Sequence, residues 1–186
     1  MLNEDELVKG CIKGERKAQK QLYDTFSKKM MGICMRYSKK SEDAEDILQE
    51  AFIKVFKNIK KFRGESSLFY WIKRIVINTA INYHRSKLYL YPMVDVQELH
   101  SLADKEFTLS NFQYKDLLIF LKKLPTGCQV IFNLYAIEGY QHKEIAEQLG
   151  ISEGTSKSQY ARAKSLLRDM ISEAESNQYE KLRQKA

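Results

Sequence analysis

A single glycine between two amphipathic segments places the strongest constraint on the fold of this chain. The stretch HKEIAEQLGISEGTSKSQYARAKSLLR runs from His142 to Arg168. Gly150 lies where a tight turn between two helices needs a left-handed backbone. Ser152 is a suitable N-cap for the second helix. The first segment presents a small apolar face: Ile145, Ala146 and Leu149. This spacing predicts a DNA-binding helix-turn-helix, with a helical hairpin in an ordinary bundle as the alternative.

The second segment carries an excess of positive charge. Glu153 is its one acid before Arg168, and four cations oppose it: Lys157, Arg162, Lys164 and Arg168. A solvated helix face normally mixes the two signs more evenly. The side predicted to be exposed holds short polar, amide and basic residues: Thr155, Lys157, Ser158, Gln159, Ala161 and Arg162. Such side chains suit base edges and phosphates in the major groove of duplex DNA.

Helical periodicity also dominates the rest of the 186 residues, which contain only 2 prolines. That length is enough for one ordinary domain or two small ones. A locally acidic stretch with weak periodicity, residues 89–111, separates two strongly periodic blocks. The prediction is an all-α fold with two small helical domains, residues 1–88 and 112–186, joined by a flexible linker at 89–111.

An acidic face is predicted on one helix of the first block. Asp43, Asp46 and Glu50 follow one another at spacings of three and four, so they share one side of a helix. Gln49 and Ile53 flank them. The same helix has an apolar stripe for the core: Leu48, Phe52, Val55 and Ile59. A solvated face without a partner is the alternative interpretation.

The charge reverses further along the first block. Seven cations oppose Glu65 alone: Lys60, Lys61, Arg63, Lys73, Arg74, Arg85 and Lys87. Aromatic residues are interleaved with them: Phe62, Phe69, Tyr70, Trp71 and Tyr83. Cations on phosphates and exposed rings on bases are how proteins hold single-stranded nucleic acid. The alternative is that Phe69 and Trp71 belong to the core.

Composition excludes several classes of site. The net charge of +7 and a pI near 9.2 favour a polyanionic partner. The 3 cysteines and 3 histidines are far apart, without a CxxC or HExxH spacing, so we expect no metal site and no disulfide framework. We find no pattern typical of a catalytic site, a cofactor or a small-molecule substrate. Without a signal peptide or a membrane-spanning apolar run, the expectation is a cytoplasmic protein that does not insert into a membrane.

Two long motifs resemble one protein family. DAEDILQEAFIKVFKNIKKFRGESSLFYWIKRIVINTAINYHR resembles region 2 of the extracytoplasmic-function (ECF) sigma factors of the sigma-70 family. LPTGCQVIFNLYAIEGYQHKEIAEQLGISEGTSKSQYARAK resembles their region 4. The motifs lie in the order of that family, with a linker of the right kind between them. The resemblance implies a promoter-specificity subunit without catalysis of its own. Its implied partners are core RNA polymerase, promoter DNA and an anti-sigma factor.

The resemblance also implies roles for particular residues. It assigns contacts with the clamp helices of the polymerase to Asp43, Asp46, Gln49, Glu50 and Ile53. Recognition and opening of the downstream (−10) promoter element fall on Lys60, Lys61, Arg63, Arg74, Asn78, Asn82 and Arg85. Recognition of the upstream (−35) element falls on Ser152, Thr155, Lys157, Ser158, Ala161, Arg162 and Lys164.

One position departs from the family pattern. Many members carry valine where this chain has Ser156. A serine hydroxyl can bond back to a helix carbonyl, so we expect the fold to survive, but serine in place of valine loosens the packing of the recognition helix. Tyr160, larger than the common leucine, would compensate.

Two other functions stay open at this point. A conventional regulator would bind duplex DNA through residues 152–168 alone, without polymerase. A nucleic-acid enzyme is the third hypothesis, and the lack of a nucleophile–base pair or a phosphate-binding glycine loop disfavours it.

Overall fold

The structure, a computed structural model, describes residues 3–90 and 114–183, and every regular element in these ranges is helical. The helices are α1 (Glu4–Ile12), α2 (Arg16–Tyr37), α3 (Ser41–Asn58), α4 (Leu68–Leu90), α5 (Tyr114–Lys123), α6 (Thr126–Phe132), α7 (His142–Leu149) and α8 (Glu153–Arg183). A 3-10 turn, Ile59–Lys61, follows α3, and a π-helical turn, Asn133–Ile137, follows α6. The all-α prediction is confirmed.

The chain divides into two compact units, Met1–His84 and Arg85–Ala186. Helix α4 continues to Leu90, two residues into the predicted linker. Residues 91–111 of that linker lie outside the described residues. The predicted domain limits of 1–88 and 112–186 therefore stay predictions.

In the first unit, α2 packs against both α1 and α3, and the 3-10 turn contacts α1 and α3. The apolar stripe predicted for α3 is buried, with Leu48, Phe52, Val55 and Ile59 at most 5% exposed. Large side chains from the other helices fill the same unit without any exposed surface: Leu22, Met30, Leu68 and Ile72.

Helix α1 also supports the start of α4. The backbone N–H of Leu68 donates a hydrogen bond of 3.0 Å to the Glu4 carboxylate, 64 positions earlier in the sequence. A carboxylate at a helix N-terminus satisfies an unpaired N–H and interacts well with the helix dipole. The loop between α3 and α4 is therefore fixed at its end by the first helix of the chain.

In the second unit, α8 packs against α5, α6 and α7. The core consists of Phe120, Leu121, Leu124, Cys128, Phe132, Ala163, Leu167 and Ile171. The turn that follows α6 is π-helical: the Glu138 N–H donates to the carbonyl of Asn133 at 2.9 Å, five residues back. Gly139, with φ 80°, ends this segment in the left-handed conformation.

The glycine turn has the predicted geometry. Gly150 adopts the left-handed conformation, with φ 69° and ψ 39°. The Ile151 N–H donates to the Ala146 carbonyl at 3.0 Å. Ser152 Oγ accepts the Thr155 N–H at 2.9 Å, which makes Ser152 the N-cap of α8.

The close crossing of α1 and α2 generates a stability prediction. A Cβ added to Gly10 would lie 2.7 Å from Ala18 Cβ. Gly10→Ala should therefore lower the free energy of unfolding of the first unit by about 1–2 kcal/mol, because overpacking outweighs the helix propensity of alanine. Denaturant titration followed by Trp71 fluorescence, the chain's 1 tryptophan, measures this.

Gly154→Ala is the matched control, since its added Cβ would meet nothing closer than Ser152 Oγ at 3.6 Å. Because Gly154 lies in the second unit and Trp71 in the first, this variant is followed by circular dichroism, and it should leave stability unchanged or raise it by up to about 1 kcal/mol. A similar gain in Gly10→Ala would show that the two helices do not cross so closely.

Candidate functional site

The acidic face of α3 is exposed, as the spacing of its residues predicts. Burial of the apolar stripe leaves Asp46, Gln49 and Glu50 on the surface. Ile53, on the same side, is 47% exposed. The face thus combines carboxylates and an amide with a large apolar side chain.

An open groove of about 660 Å³ borders this face, between α2 and α3. Its polar rim consists of Glu45, Asp46 and Gln49, and its apolar lining of Tyr23, Met31, Leu48, Phe52, Ile53 and Phe56. The Tyr23 and Phe52 rings meet edge to face, with centroids 4.7 Å apart. An apolar groove with an acidic rim is suited to a partner helix that carries basic residues beside apolar ones. The α2 residues Tyr23 and Met31 were not predicted, since no pattern along the chain assigns them to the neighbourhood of α3.

Two of the predicted acids are also engaged within the unit. Asp43 is half-buried and accepts a hydrogen bond of 2.8 Å from the Tyr83 hydroxyl on α4. This bond to the neutral phenol raises the pKa of Tyr83. Glu50 forms a salt bridge of 2.6 Å with Lys54, whose ammonium also donates to Thr79 Oγ1 at 3.4 Å. The Asp43–Tyr83 and Lys54–Thr79 hydrogen bonds tie α3 to α4.

A basic depression of about 490 Å³ lies at the loop between α3 and α4. It brings together the exposed cations Lys60, Lys61, Arg63 and Arg74, which the sequence analysis had grouped. Phe62, Glu65, Ser66 and Trp71 complete the lining. The Phe62 and Trp71 rings meet edge to face, with centroids 5.6 Å apart. Cations beside accessible aromatic rings suit a nucleotide with its phosphate.

The aromatic side chains differ in exposure. Trp71 and Phe69 are half-buried, so neither is fully in the core, the alternative considered for both. Tyr70 is 62% exposed, and Lys29 lies over the Phe69 ring at 5.8 Å from its centroid. The rings that line the depression are thus half-buried, and the exposed ring of this segment belongs to Tyr70, the residue before Trp71.

The remaining residues predicted for this surface lie further along α4. Asn78 and Asn82 are exposed, one and two turns beyond Arg74, and do not line the depression. Arg85 belongs to the backbone of α4, but its side chain lies outside the described residues.

In the second unit, the residues predicted to contact the −35 element differ in how exposed they are. Ser152 and Lys157 are exposed, and five others are half-buried: Thr155, Ser158, Ala161, Arg162 and Lys164. The Ser152 and Thr155 hydroxyls are hydrogen-bonded to each other at 2.8 Å. Lys157 forms an exposed salt bridge of 2.7 Å with Glu153.

The prediction for Gln159 is wrong. We expected it on the exposed side of α8, but it is 5% exposed, and its Oε1 accepts a hydrogen bond of 3.0 Å from the Cys128 thiol on α6. Packing of α6 against α8 takes this amide out of solvent.

Ser156 also behaves differently from the expectation. Its side chain has no exposed surface, and its hydroxyl lies 2.9 Å from His142 Nδ1 at the start of α7. The hydroxyl thus reaches the neighbouring helix of the turn, whereas a bond back to its own helix was expected. Tyr160 packs against an aromatic group that includes Phe132, Tyr135 and His142.

Two family models match the parts of the chain that contain these surfaces. The family model for Sigma-70 region 2 matches residues 22–88, and the model for Sigma-70, region 4 matches residues 116–167. The first match contains the acidic face and the basic depression, and the second contains the helix-turn-helix. This chain belongs to the sigma-70 family.

Relatives of similar length support the assignment. An ECF RNA polymerase sigma-E factor of Haemophilus influenzae is 28% identical over 182 residues, which cover 91% of this chain and 96% of that protein. An RNA polymerase sigma-H factor of Pseudomonas aeruginosa is 27% identical, with 87% and 90% covered. The sigma factor RpoE of Bartonella quintana, solved in complex with the anti-sigma factor NepR, is 22% identical and gives a TM-score of 0.52 over 82% of this chain and 96% of that one, which shows a shared fold.

As an ECF sigma factor, the chain binds core RNA polymerase and directs promoter recognition and transcription initiation. Sigma factors are regulatory subunits of the polymerase that do not catalyse a reaction themselves. Among the described residues of this sigma factor, no helix is both long and apolar enough to span a membrane, and no group of acidic, histidine and cysteine side chains is arranged to hold a metal ion.

The environment of His142 predicts a pH dependence. Burial, with the nearby charge of Lys157, lowers the pKa of His142 below its ordinary value of about 6.5, while Glu153 opposes the shift. Because the folded state favours the neutral ring, this contribution to stability is complete above about pH 6.5 and is lost as the pH falls through the lowered pKa.

We therefore expect α7 and α8 of this sigma factor to lose stability as the pH falls below about 6.5. Amide hydrogen exchange in these helices, corrected for the pH dependence of the intrinsic exchange rate, measures the effect. His142→Phe should show a smaller loss, and an equal loss in both proteins would contradict the assignment to His142.

Proposed function

We propose that this sigma factor divides promoter recognition among three surfaces. The groove and acidic face of α3 bind core polymerase. The basic depression and the exposed side of α4 bind the −10 element, and the exposed side of α8 binds the −35 element. The observation that supports this proposal best is that the first unit exposes an acidic-rimmed apolar groove and a basic, aromatic depression as separate surfaces.

The chemistry of the groove favours a protein partner. Tyr23 and Ile53 expose 41% and 47% of their surface, and burying such side chains against a partner helix contributes roughly 25 cal/mol per Å² of apolar area. Asp46 and Gln49 on the rim supply polar contacts that orient the partner. A basic surface on the clamp helices of the polymerase would complete the charge match.

The depression favours an unstacked nucleotide. Lys60, Lys61, Arg63 and Arg74 offer four cations for backbone phosphates, and Phe62 and Trp71 offer ring surfaces for a base. Capturing a base outside the stack offsets part of the cost of opening the duplex, which is a few kcal/mol. Asn78 and Asn82 extend the same exposed side of α4 and would contact neighbouring nucleotides.

The exposed side of α8 favours duplex DNA. Its first turns hold hydroxyl and cationic groups, and these are the turns of a recognition helix that reach base edges. Thr155, Lys157, Ser158 and Arg162 are the proposed base and phosphate contacts near the N-terminus, with Ser152, Ala161 and Lys164 beside them.

The proposal includes the wider setting of the protein. The limits of its two domains are residues 1–88 and 112–186, with 89–111 as linker. It acts in the cytoplasm, where core polymerase works, without cofactor or small-molecule substrate. An anti-sigma factor is the proposed regulator, because the Bartonella quintana relative of the same fold was solved with one.

Reconstituted transcription tests the polymerase-binding surface. The chain with core polymerase should initiate at promoters that have two spaced elements, while the chain alone binds duplex DNA weakly. Asp46→Lys should weaken core binding at least about tenfold, because it places a cation where a basic partner surface docks. Binding is measured by competition for labelled core polymerase.

Glu42→Lys is the matched control, with the same charge change one turn earlier on α3 at an exposed position that does not line the groove. It should bind core polymerase within about twofold of the wild type, a difference expected of an exposed charge that makes no contact. Equal binding by Asp46→Lys and wild type would refute the groove assignment. Tight, polymerase-independent binding to a palindromic duplex would instead support a conventional regulator.

Replacing two different cations on α8 should have different effects on DNA binding. Arg162→Ala should cost about 1–3 kcal/mol on the preferred duplex and relax preference at one base pair, if Arg162 bonds a guanine edge. Lys164→Ala should weaken binding to all sequences alike and lower the salt slope by about 0.9, since Lys164 would neutralise one phosphate. Holoenzyme binding to a duplex library at several salt concentrations measures both. Equal effects on all sequences in both variants would rule out base reading by Arg162.

A further inference from the structure

A buried hydroxyl lies at the junction of the two helices of the turn. Ser156, in the second turn of α8, has no exposed surface, and its Oγ lies 2.9 Å from Nδ1 of His142, the first residue of α7. A hydroxyl buried without a partner costs about 1–3 kcal/mol, so the imidazole nitrogen removes a penalty that an apolar neighbour would leave. Fourteen positions in sequence separate the partners, and the bond therefore joins one helix to the other.

Aromatic stacking holds the same histidine from a second side. The His142 ring lies parallel to the Tyr135 ring, with centroids 4.2 Å apart and an angle of 14° between the planes. Tyr160, one turn after Ser156 on α8, packs 4.5 Å from Tyr135 and 5.8 Å from His142, measured between centroids. α8 is thus held to His142 at two successive turns, by a polar bond at one and by rings at the other.

These two contacts constrain the orientation of α8 in a way that apolar packing alone does not. A hydrogen bond weakens steeply when its angle departs from linear, whereas apolar contact is non-directional. Ser156 lies between Thr155 and Lys157, two proposed DNA contacts, and Lys164 lies over the Tyr160 ring at 5.3 Å from its centroid. A small rotation of α8 about its axis would move all three side chains relative to a DNA groove.

We propose that His142 and Ser156 form a positioning pair that sets the rotation and tilt of α8, and thereby how strictly the protein discriminates between duplex sequences. The inference rests on the proposed binding of duplex DNA by α8. Because Ser156 has no exposed surface, it acts through the orientation of its helix and not by touching a base.

A double-mutant cycle on the full chain, bound to core polymerase, tests the pair. Ser156→Ala removes the hydroxyl, and His142→Phe removes the ring nitrogen while keeping an aromatic ring against Tyr135. The measurement is the ratio of holoenzyme affinities for promoter duplexes with the preferred and with a scrambled −35 element. Each single variant should lower this ratio by about fivefold to tenfold, and the double variant should lower it no further, since both changes break one bond.

Four comparisons separate positioning from a general loss of structure. Ser165→Ala, which removes a half-buried hydroxyl further along α8, should leave the ratio unchanged. Affinity for the scrambled duplex and initiation from a template already open at the −10 element should also be unchanged in all variants. Thermal unfolding of each variant, followed by circular dichroism, shows whether α8 still folds.

The outcomes are distinct. Singles that lower affinity for both duplexes alike, or that only lower the unfolding temperature, would overturn the positioning role, as would additive losses in the double variant. If Arg162→Ala still relaxes sequence preference in that case, only the inference about the pair fails. If Arg162→Ala has no effect either, the proposed function of α8 fails with it.

Discussion

Each helix of this protein must bury one side, and that requirement decides which side chains remain available to partners. In α3 the period of 3.6 residues places Ala44, Ile47, Ala51 and Val55 in the core without exposed surface. The opposite side then carries the acids and Ile53. The same rule applies to α8, where burial of Ala163 and Leu167 turns the cationic side outward. The recognition surfaces are thus a consequence of core formation on the other side of the same helices.

Several charged groups on these surfaces already have partners inside the protein. Asp43 accepts a hydrogen bond from Tyr83, and Lys157 pairs with Glu153 in an exposed salt bridge. Exposed pairs of the second kind contribute little to stability, so a phosphate can replace Glu153 at low cost. The half-buried Asp43 contact joins α3 to α4, which links the helix proposed to bind polymerase to the helix proposed to open DNA. A substitution at Asp43 would thus change two surfaces at once, whereas one at Asp46 addresses the groove.

Helical pattern and turn chemistry predicted much of what the structure contains. The left-handed Gly150, the Ser152 cap, the buried stripe of α3 and the exposed acidic face all follow from local spacing, which acts over one or two turns. The errors and omissions share a different cause. Gln159 is buried because α6 packs on α8, and Tyr23 lines the groove because α2 packs beside α3. The π-helical turn depends on a backbone hydrogen bond from Glu138 to Asn133, which the residue types of this segment do not indicate.

Local sequence therefore determined the helices, the order of the two units, their charge patterns and the family to which the chain belongs, because these depend on residue type and short-range spacing. Tertiary structure alone decided which residues from distant parts of the chain meet. Examples are the Glu4 carboxylate at the N-terminus of α4 and the rings of Tyr23 and Phe52 in the groove. At Ser156 the sequence indicated only a loosened contact, whereas packing supplied His142 as a hydrogen-bond partner. The physical reason is that a buried polar group is stable only with a partner at the right distance and angle, and the path of the folded chain determines which group that is.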